Sequence, residues 1–393
     1  MKFTPSFTVL LNAVLVAFSI AEDVQAVPTG RHDAALGVRE LPDTAVEHND
    51  AVVISNITAR AEPRVVSIPL LAFQLGQRDV GYVGSFKLGS AAQNIPMLVD
   101  TGSSTFWVIP KTAQQKRTWT ITYGDGSSAS GPVVTDSVKV GALDAMPGFP
   151  IGIGTAISGV LASVPARGTA GFSNGKLEAT TRTGGVTILE GLKASELIPA
   201  SVVGIQLGRG ARLGAVGTGQ LTLGGSNPAK FQTGAGNLVT VRNTATSGLW
   251  QITLANSKVN GRIVRTSRSA LLDTGNSRIL TTKGDGQFFH SFPGAFTSEN
   301  GIFGLPCDPT KIPPISFTVG TVEFPINPVD IIGAEIVAEG LPQGQLCYSL
   351  IQDHDDKPGK PPRTTWSLGI PFLKNVYQIL DSDANTITLA KPA

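Results

Sequence analysis

The tripeptide Asp-Thr-Gly occurs twice in this chain in the same dressing, as MLVDTGSS around Asp100 and ALLDTGNS around Asp273. Apolar residues lead into each acid, so each copy reads as a strand that ends by presenting a carboxylate at a tight turn. Gly lets the backbone fold back there, and the Thr hydroxyl can brace it. The two acids lie 173 residues apart, about the length of one compact domain. That spacing predicts an internal duplication with one acid in each lobe. Two such turns facing each other make a pair of carboxyls that cannot both ionise comfortably, so one proton is shared and the pair can serve as acid and base at once. This is the equipment for splitting a peptide bond with water. One Asp-Thr-Gly alone would be ordinary turn chemistry; the second copy makes a site of it.

Further segments extend the pattern. Residues 82–110 (YVGSFKLGSAAQNIPMLVDTGSSTFWVIP) read as a hairpin, the first acid turn and a following Trp107. Residues 120–131 (TITYGDGSSASG), with Tyr123, and GQLTLGG, LWQITL and SLGIPFLKNVYQILDSDANTITLA follow in order. On these motifs the chain resembles the pepsin-like aspartic proteases (peptidase family A1) over about residues 65–393. Only seven residues, 111–117, join the first acid segment to the next hairpin, a short connection that matches a fungal-type secreted branch of that family. The resemblance implies an all-β, bilobal fold: two similar barrel-like lobes related by a pseudo-twofold axis, with the active-site cleft between them.

Composition agrees. With 45 Gly and 26 Pro the chain is turn-rich, which suits many short strands better than long helices. Alternating runs at 251–254, 315–319 and 386–389 read as strands. The one helix of any size is expected over 186–197, weakened by Gly191.

The first 21 residues read as a signal peptide: Lys2 supplies the positive end, residues 7–20 are apolar, and Ala21 or Ala26 offers a small-residue cleavage point. A single membrane anchor is the alternative, but 14 apolar residues are too few to span a bilayer. Residues 22–64 read as a removable propeptide, 65–236 as the N-terminal lobe and 237–393 as the C-terminal lobe. The leader holds four basic and eight acidic residues, for a net −4, whereas residues 65–393 hold 26 and 21, for a net +5. Opposite signs favour docking of the leader on the body; a solvated leader with no docking role is the alternative. The sign is opposite to the basic prosegments of pepsin precursors, and no Lys falls in 22–64 to cover the two acids. Expected localisation is extracellular, with a vacuole as the alternative, and a monomer without a membrane anchor is expected.

Cys307 and Cys347 are the only cysteines. In a secreted chain they are expected to pair, as a matching bridge in the family implies, with two isolated thiols as the alternative. Of four histidines, His32 and His48 fall in the removable leader, so no His-rich metal site is available, and neither metal nor cofactor is expected. GFSNG at 171–175 fits the G-x-S-x-G elbow of esterases, with Ser173 as nucleophile and His290 or His354 as base. The preceding VPARGTA does not make the apolar strand such an elbow needs. No phosphate-binding glycine loop appears and the positive charge is scattered, so nucleotide and nucleic-acid binding lack support.

By resemblance, Asp100 and Asp273 are the catalytic pair, and Thr101 and Thr274 brace the two turns against each other. Gly102 and Gly275 bond the inner carboxylate oxygens, Ser103 bonds the outer oxygen of Asp100, and Tyr123, Gly124 and Asp125 form a flap over extended protein or peptide substrates. Asp125 is either a flap carboxylate that tolerates a basic substrate side chain or a solvent-facing turn residue. Three departures stand out. Asn276 replaces the expected Thr or Ser and is expected to offer its amide to Asp273 from a longer, planar group. Ser367-Leu368-Gly369 crosses behind the second turn with a polar first member. The matching crossing in the first lobe reads as Val160-Leu161-Ala162, where Ala162 adds a methyl at a crowded place. A peptide-binding pseudoenzyme is therefore the second hypothesis.

Overall fold

The strand over Val322–Ile326 shows how the sequence writes this fold: Val322, Phe324 and Ile326 are buried, while Glu323 and Pro325 between them are exposed. A period of two puts every second side chain in the core. The computed structural model describes residues 62–75, 78–109, 118–163, 166–175, 182–209, 219–337, 343–355 and 363–393. The signal peptide read at 1–21, nearly all of the propeptide read at 22–64 and the connection at 111–117 lie outside the described residues. Strands dominate, and the three runs expected at 251–254, 315–319 and 386–389 fall within Gln251–Val259, Ile315–Val319 and Thr386–Ala390.

One sheet of 14 strands runs through both halves of the chain, and sheets of seven and four strands complete the second half. Val66–Leu75 pairs with Gly219–Leu223, which pairs with Val202–Gln206, which pairs in turn with Tyr377–Asp381. Thr386–Ala390 and Leu238–Arg242 close that edge. The two acid-bearing strands have equivalent surroundings. Gln93–Asp100 lies parallel to Gly168–Gly171, with Val99 opposite Ala170, and Arg262–Leu272 lies parallel to Trp366–Leu368, with Leu272 opposite Leu368.

The crossing in the first half is therefore Thr169-Ala170-Gly171, not the expected Val160-Leu161-Ala162. The latter belongs to the short 3₁₀ helix Gly159–Ser163, where Ala162 is exposed. Close approach explains the difference. A Cβ on Gly171 would lie 2.5 Å from the Ser104 carbonyl carbon and 2.6 Å from Ser103 O, so only glycine can pass beneath this turn. Ala162 crowds nothing there.

The expected helix over 186–197 is shorter, Ile188–Ala194. Thr187 caps it in a reciprocal box with Glu190, which fixes its start. Gly191 is not a weakness here: a Cβ would lie 2.9 Å from Met146 Sδ and from Phe149 Cε2, so its smallness seats the helix on the strand below. Cys307 and Cys347 form a disulfide with Cα atoms 5.1 Å apart. Between the halves, Lys374 Nζ sits 2.7 Å from Asp79 Oδ2 and 3.0 Å from Asp330 Oδ1. Tyr82, whose hydroxyl donates to Gly208 O at 2.5 Å and to Asp79 Oδ2 at 3.3 Å, extends that network.

Asp285, 5% exposed, anchors the strand that crosses behind the second acid turn. It accepts from Trp366 Nε1 (3.1 Å), Thr282 Oγ1 (2.7 Å) and Arg268 Nε (2.7 Å), and also from Arg265 Nε. Burial alone would raise its carboxyl, but the bonds from Arg268, Thr282 and Arg265 outweigh it and hold the group well below the usual carboxylate range. A carboxyl whose folded-state value is depressed stabilises fully above its unfolded value of about 4 and loses that contribution as pH falls through the folded value. Asp285→Asn is expected to cost on the order of 3 kcal/mol at pH 6, because it leaves two half-buried guanidinium groups uncompensated. The gap between wild type and variant should narrow as pH falls below about 4; urea unfolding midpoints at pH 6 and pH 2.5 measure both.

Candidate active site

Each acid closes its own turn first. Gly102 N donates to Asp100 Oδ1 at 2.9 Å, and Gly275 N donates to Asp273 Oδ1 at 2.8 Å. The turns then meet. A Cβ on Gly102 would come 2.6 Å from Asp273 Oδ1, and one on Gly275 would come 2.6 Å from Asp100 Oδ1. Each glycine is bare because the opposite carboxylate occupies the space beside it. Asp100 and Asp273 are 2% and 1% exposed, and their side chains are hydrogen-bonded to each other.

The threonines clamp the arrangement. Thr101 N donates to Thr274 Oγ1 and Thr274 N to Thr101 Oγ1, both at 3.0 Å. Each hydroxyl then donates across the interface, Thr101 to Leu272 O at 3.0 Å and Thr274 to Val99 O at 2.7 Å. Ser103 Oγ donates to Asp100 Oδ2 at 2.5 Å. Burial pushes the Asp100 carboxyl above its ordinary value, against bonds from Ser103, Gly102 and Asp273 that pull it down. Burial thus favours keeping a proton on the pair.

Asn276 behaves differently from the expectation. Its amide Nδ2 donates to Ser367 Oγ at 2.7 Å and its Oδ1 accepts from Arg278 N at 3.0 Å, so both ends of the side chain are engaged away from Asp273. The planar group reaches past the acid to the crossing strand. Ser367, read from sequence only as a polar oddity, is its partner.

The hairpin expected as a flap forms from Thr118–Thr122 and Ser128–Val140. Tyr123, which opens the turn at the tip, is 1% exposed, and Trp107 Nε1 donates to its hydroxyl at 3.0 Å. Burial, and then the charge of Asp100, push that hydroxyl well above the usual tyrosine range. Gly124 is half-buried and Asp125 exposed. Asp125 Oδ1 accepts from Ser127 N at 2.8 Å and Ser127 Oγ at 2.6 Å, which closes the tip as a turn. Ser173 does not sit on an elbow: it is 1% exposed, and its N–H donates to Ser103 O at 3.0 Å, beneath the first acid turn. His290 stacks on Phe303 with Nδ1 on Gly286 O, and His354 Nε2 meets Thr365 O, so the esterase triad does not assemble. Among the described residues no group of three or more His, Cys, Asp or Glu could hold a metal ion, and no helix is long and apolar enough to cross a membrane.

Thr101→Val keeps the shape of this clamp and removes its oxygen, stranding Thr274 N and Leu272 O in a buried place. It should destabilise by on the order of 3 kcal/mol, and Thr274→Val by a similar amount. The double variant should cost less than the sum. Calorimetric unfolding of the three proteins tests this.

Comparison with known proteins was made against this geometry. The family described as eukaryotic aspartyl protease matches residues 81–118 and 111–392. The chain is 28% identical over 333 residues to "Probable aspartic-type endopeptidase CTSD" of Arthroderma benhamiae, an alignment that takes in 79% of this chain and 61% of that protein. It thus spans about three fifths of that relative's length. It is also 28% identical over 350 residues to Rhizopuspepsin-1 of Rhizopus niveus, covering 83% of this chain and 82% of that one. In three dimensions it resembles the crystal structure of the aspartic proteinase from Irpex lacteus, with TM-score 0.68, 22% identity, and coverage of 84% of this chain and 98% of that one.

Proposed function

Because this chain belongs to the eukaryotic aspartyl protease family, we propose that it is an aspartic endopeptidase, hydrolysing peptide bonds in proteins with water activated between Asp100 and Asp273. The observation that carries this reading is the pair itself: two buried, mutually hydrogen-bonded carboxyls on turns clamped by Thr101 and Thr274. A peptide-binding pseudoenzyme would need neither acid nor a shared proton.

Each residue then has a role. With one proton on the pair, the ionised carboxylate takes a proton from a water whose oxygen attacks the scissile carbonyl carbon. The other carboxyl gives its proton to the carbonyl oxygen, and a neutral diol forms. On collapse the protonated carboxyl gives its proton to the amine nitrogen while the ionised one takes a proton from a diol hydroxyl, so the C–N bond breaks, a carboxylic acid and an amine leave, and the pair again holds one proton. No covalent intermediate is needed. Burial of Asp100 keeps the singly protonated pair populated under acid conditions, which supports an acid working range. Tyr123, Gly124 and Asp125 cover the extended substrate, with large apolar side chains flanking the cut bond. Asp125, exposed and closed on Ser127, presents its carboxyl group where a basic side chain of the substrate can meet it.

Asp100→Asn and Asp273→Asn should each lower kcat/KM on a denatured protein or peptide by at least about 10²-fold while the body stays folded and binds a statine-type diol mimic. More than about a hundredth of wild-type activity in either variant would sink the assignment.

The reading extends to maturation. Residues 1–21 direct secretion, and the acidic 22–64 segment docks on the basic body until acid releases it. With ordinary carboxyl values near 4, release should fall at roughly pH 3 to 5. Incubating the precursor across that range and sequencing the new amino terminus tests it. A precursor that stays intact and inactive at pH 3.5, yet is cut by an added protease, would rule out self-activation.

A further inference from the structure

Two residues that depart from the sequence pattern are in contact. Asn276 and Ser367 are both 0% exposed and joined by a 2.7 Å hydrogen bond across 91 residues of chain. Ser367 lies between the strand that delivers the second acid and the strand that leaves it, opposite Leu271 on one side and Leu280 on the other. Asn276 is held at each polar atom: N–H on Asp273 O, C=O accepting Ile370 N, Oδ1 accepting Arg278 N, and Nδ2 on Ser367. In the first lobe the residue three after the acid, Ser103, gives its hydroxyl to the carboxylate. The residue at the crossing position that corresponds to Ser367 is Thr169, opposite Leu98, and its hydroxyl bonds Tyr123 rather than the turn. The lobes thus use matching positions differently.

We propose that Asn276 and Ser367 act as one positioning pair, which ties the turn of Asp273 to the Trp366–Leu368 strand and commits the donor at this position to the fold instead of to the carboxyl. This deepens the protease reading and rests on it. The physical consequence is electrostatic. A hydroxyl three residues after an acid stabilises the ionised form of the pair, as Ser103 does for Asp100; an amide spent on Ser367 does not. The singly ionised pair of this protein therefore forms at higher pH than it would with a hydroxyl in place of the amide. The pair titrates as a unit, so the effect is read in the acid limb of the rate profile.

The test uses the mature protein and the variants Asn276→Thr, Ser367→Ala and Asn276→Thr/Ser367→Ala. The first readout is thermal unfolding, which needs no activity. Asn276→Thr alone strands the buried Ser367 hydroxyl and should lower the midpoint by several degrees; the double variant should recover part of that loss. Losses that simply add would overturn the pair. The second readout is kcat/KM on a peptide from pH 2 to 7. The double variant should move the acid limb to lower pH by up to about one unit, the reach of a single charge-assisted hydrogen bond, with KM changed much less than kcat. An acid limb that stays in place or moves upward would overturn the electrostatic role. If Asn276→Thr does not fold, the double variant, with no hydroxyl stranded, carries both comparisons. A wild-type protein without peptide cleavage at any pH would refute the protease reading and leave the unfolding result to decide the pair.

Discussion

Two carboxyl groups kept side by side away from water repel as soon as both are charged, and the structure is organised to hold them there. Neither turn could do so alone. The Thr101 and Thr274 hydroxyls each accept from the opposite turn and donate to the opposite strand. Separating the turns would leave two backbone donors and two backbone acceptors unmet in the interior, at about 1–3 kcal/mol each. That closeness dictates the bare Gly102 and Gly275, and the passage of a strand beneath each turn dictates Gly171. The order of cause runs from charge repulsion to clamp, and from clamp to the spacing of everything around it.

How much of this could be read from the chain depended on whether the controlling contact was local. The acid turns, the hairpin with its DG tip and the strands of period two carry their signals within a few residues of sequence. Helix length depended on one capping residue, Thr187, whose reciprocal bond with Glu190 is a local signal that hydrophobic spacing alone passes over. The first crossing strand was misplaced because two apolar residues and a small one also occur at 160–162. What distinguishes 169–171 is the backbone of Ser103 and Ser104 pressing on residue 171, which is a tertiary fact. The hidden cue was the hydroxyl-apolar-Gly order that Thr169-Ala170-Gly171 shares with Ser367-Leu368-Gly369. The orientation of Asn276 was unreadable for the same reason: nothing near it in sequence signals a buried partner 91 residues away.

Duplication supplies symmetry in the backbone and leaves freedom in the side chains. The strand registers behind the two acids match residue for residue, yet one crossing hydroxyl serves the flap tyrosine and the other serves the second turn. Charged groups follow the same division. Asp285 and its arginines stiffen the second lobe, while Asp79, Lys374 and Asp330 join the halves. A symmetric scaffold thus carries an asymmetric load.

The 14-stranded sheet ties early strands of the chain to its last ones. Val202–Gln206 in the first half pairs with Tyr377–Asp381 near the end of the second, and Lys374 reaches back 295 residues to Asp79. Contacts of such sequence separation close late, because the loop entropy must be met before the pairing rewards it. The clamp needs Thr101 and Thr274 together, so it cannot close until the second turn, 173 residues further on, has been made. A first half made alone would carry one acid on an unclamped turn, and no pair.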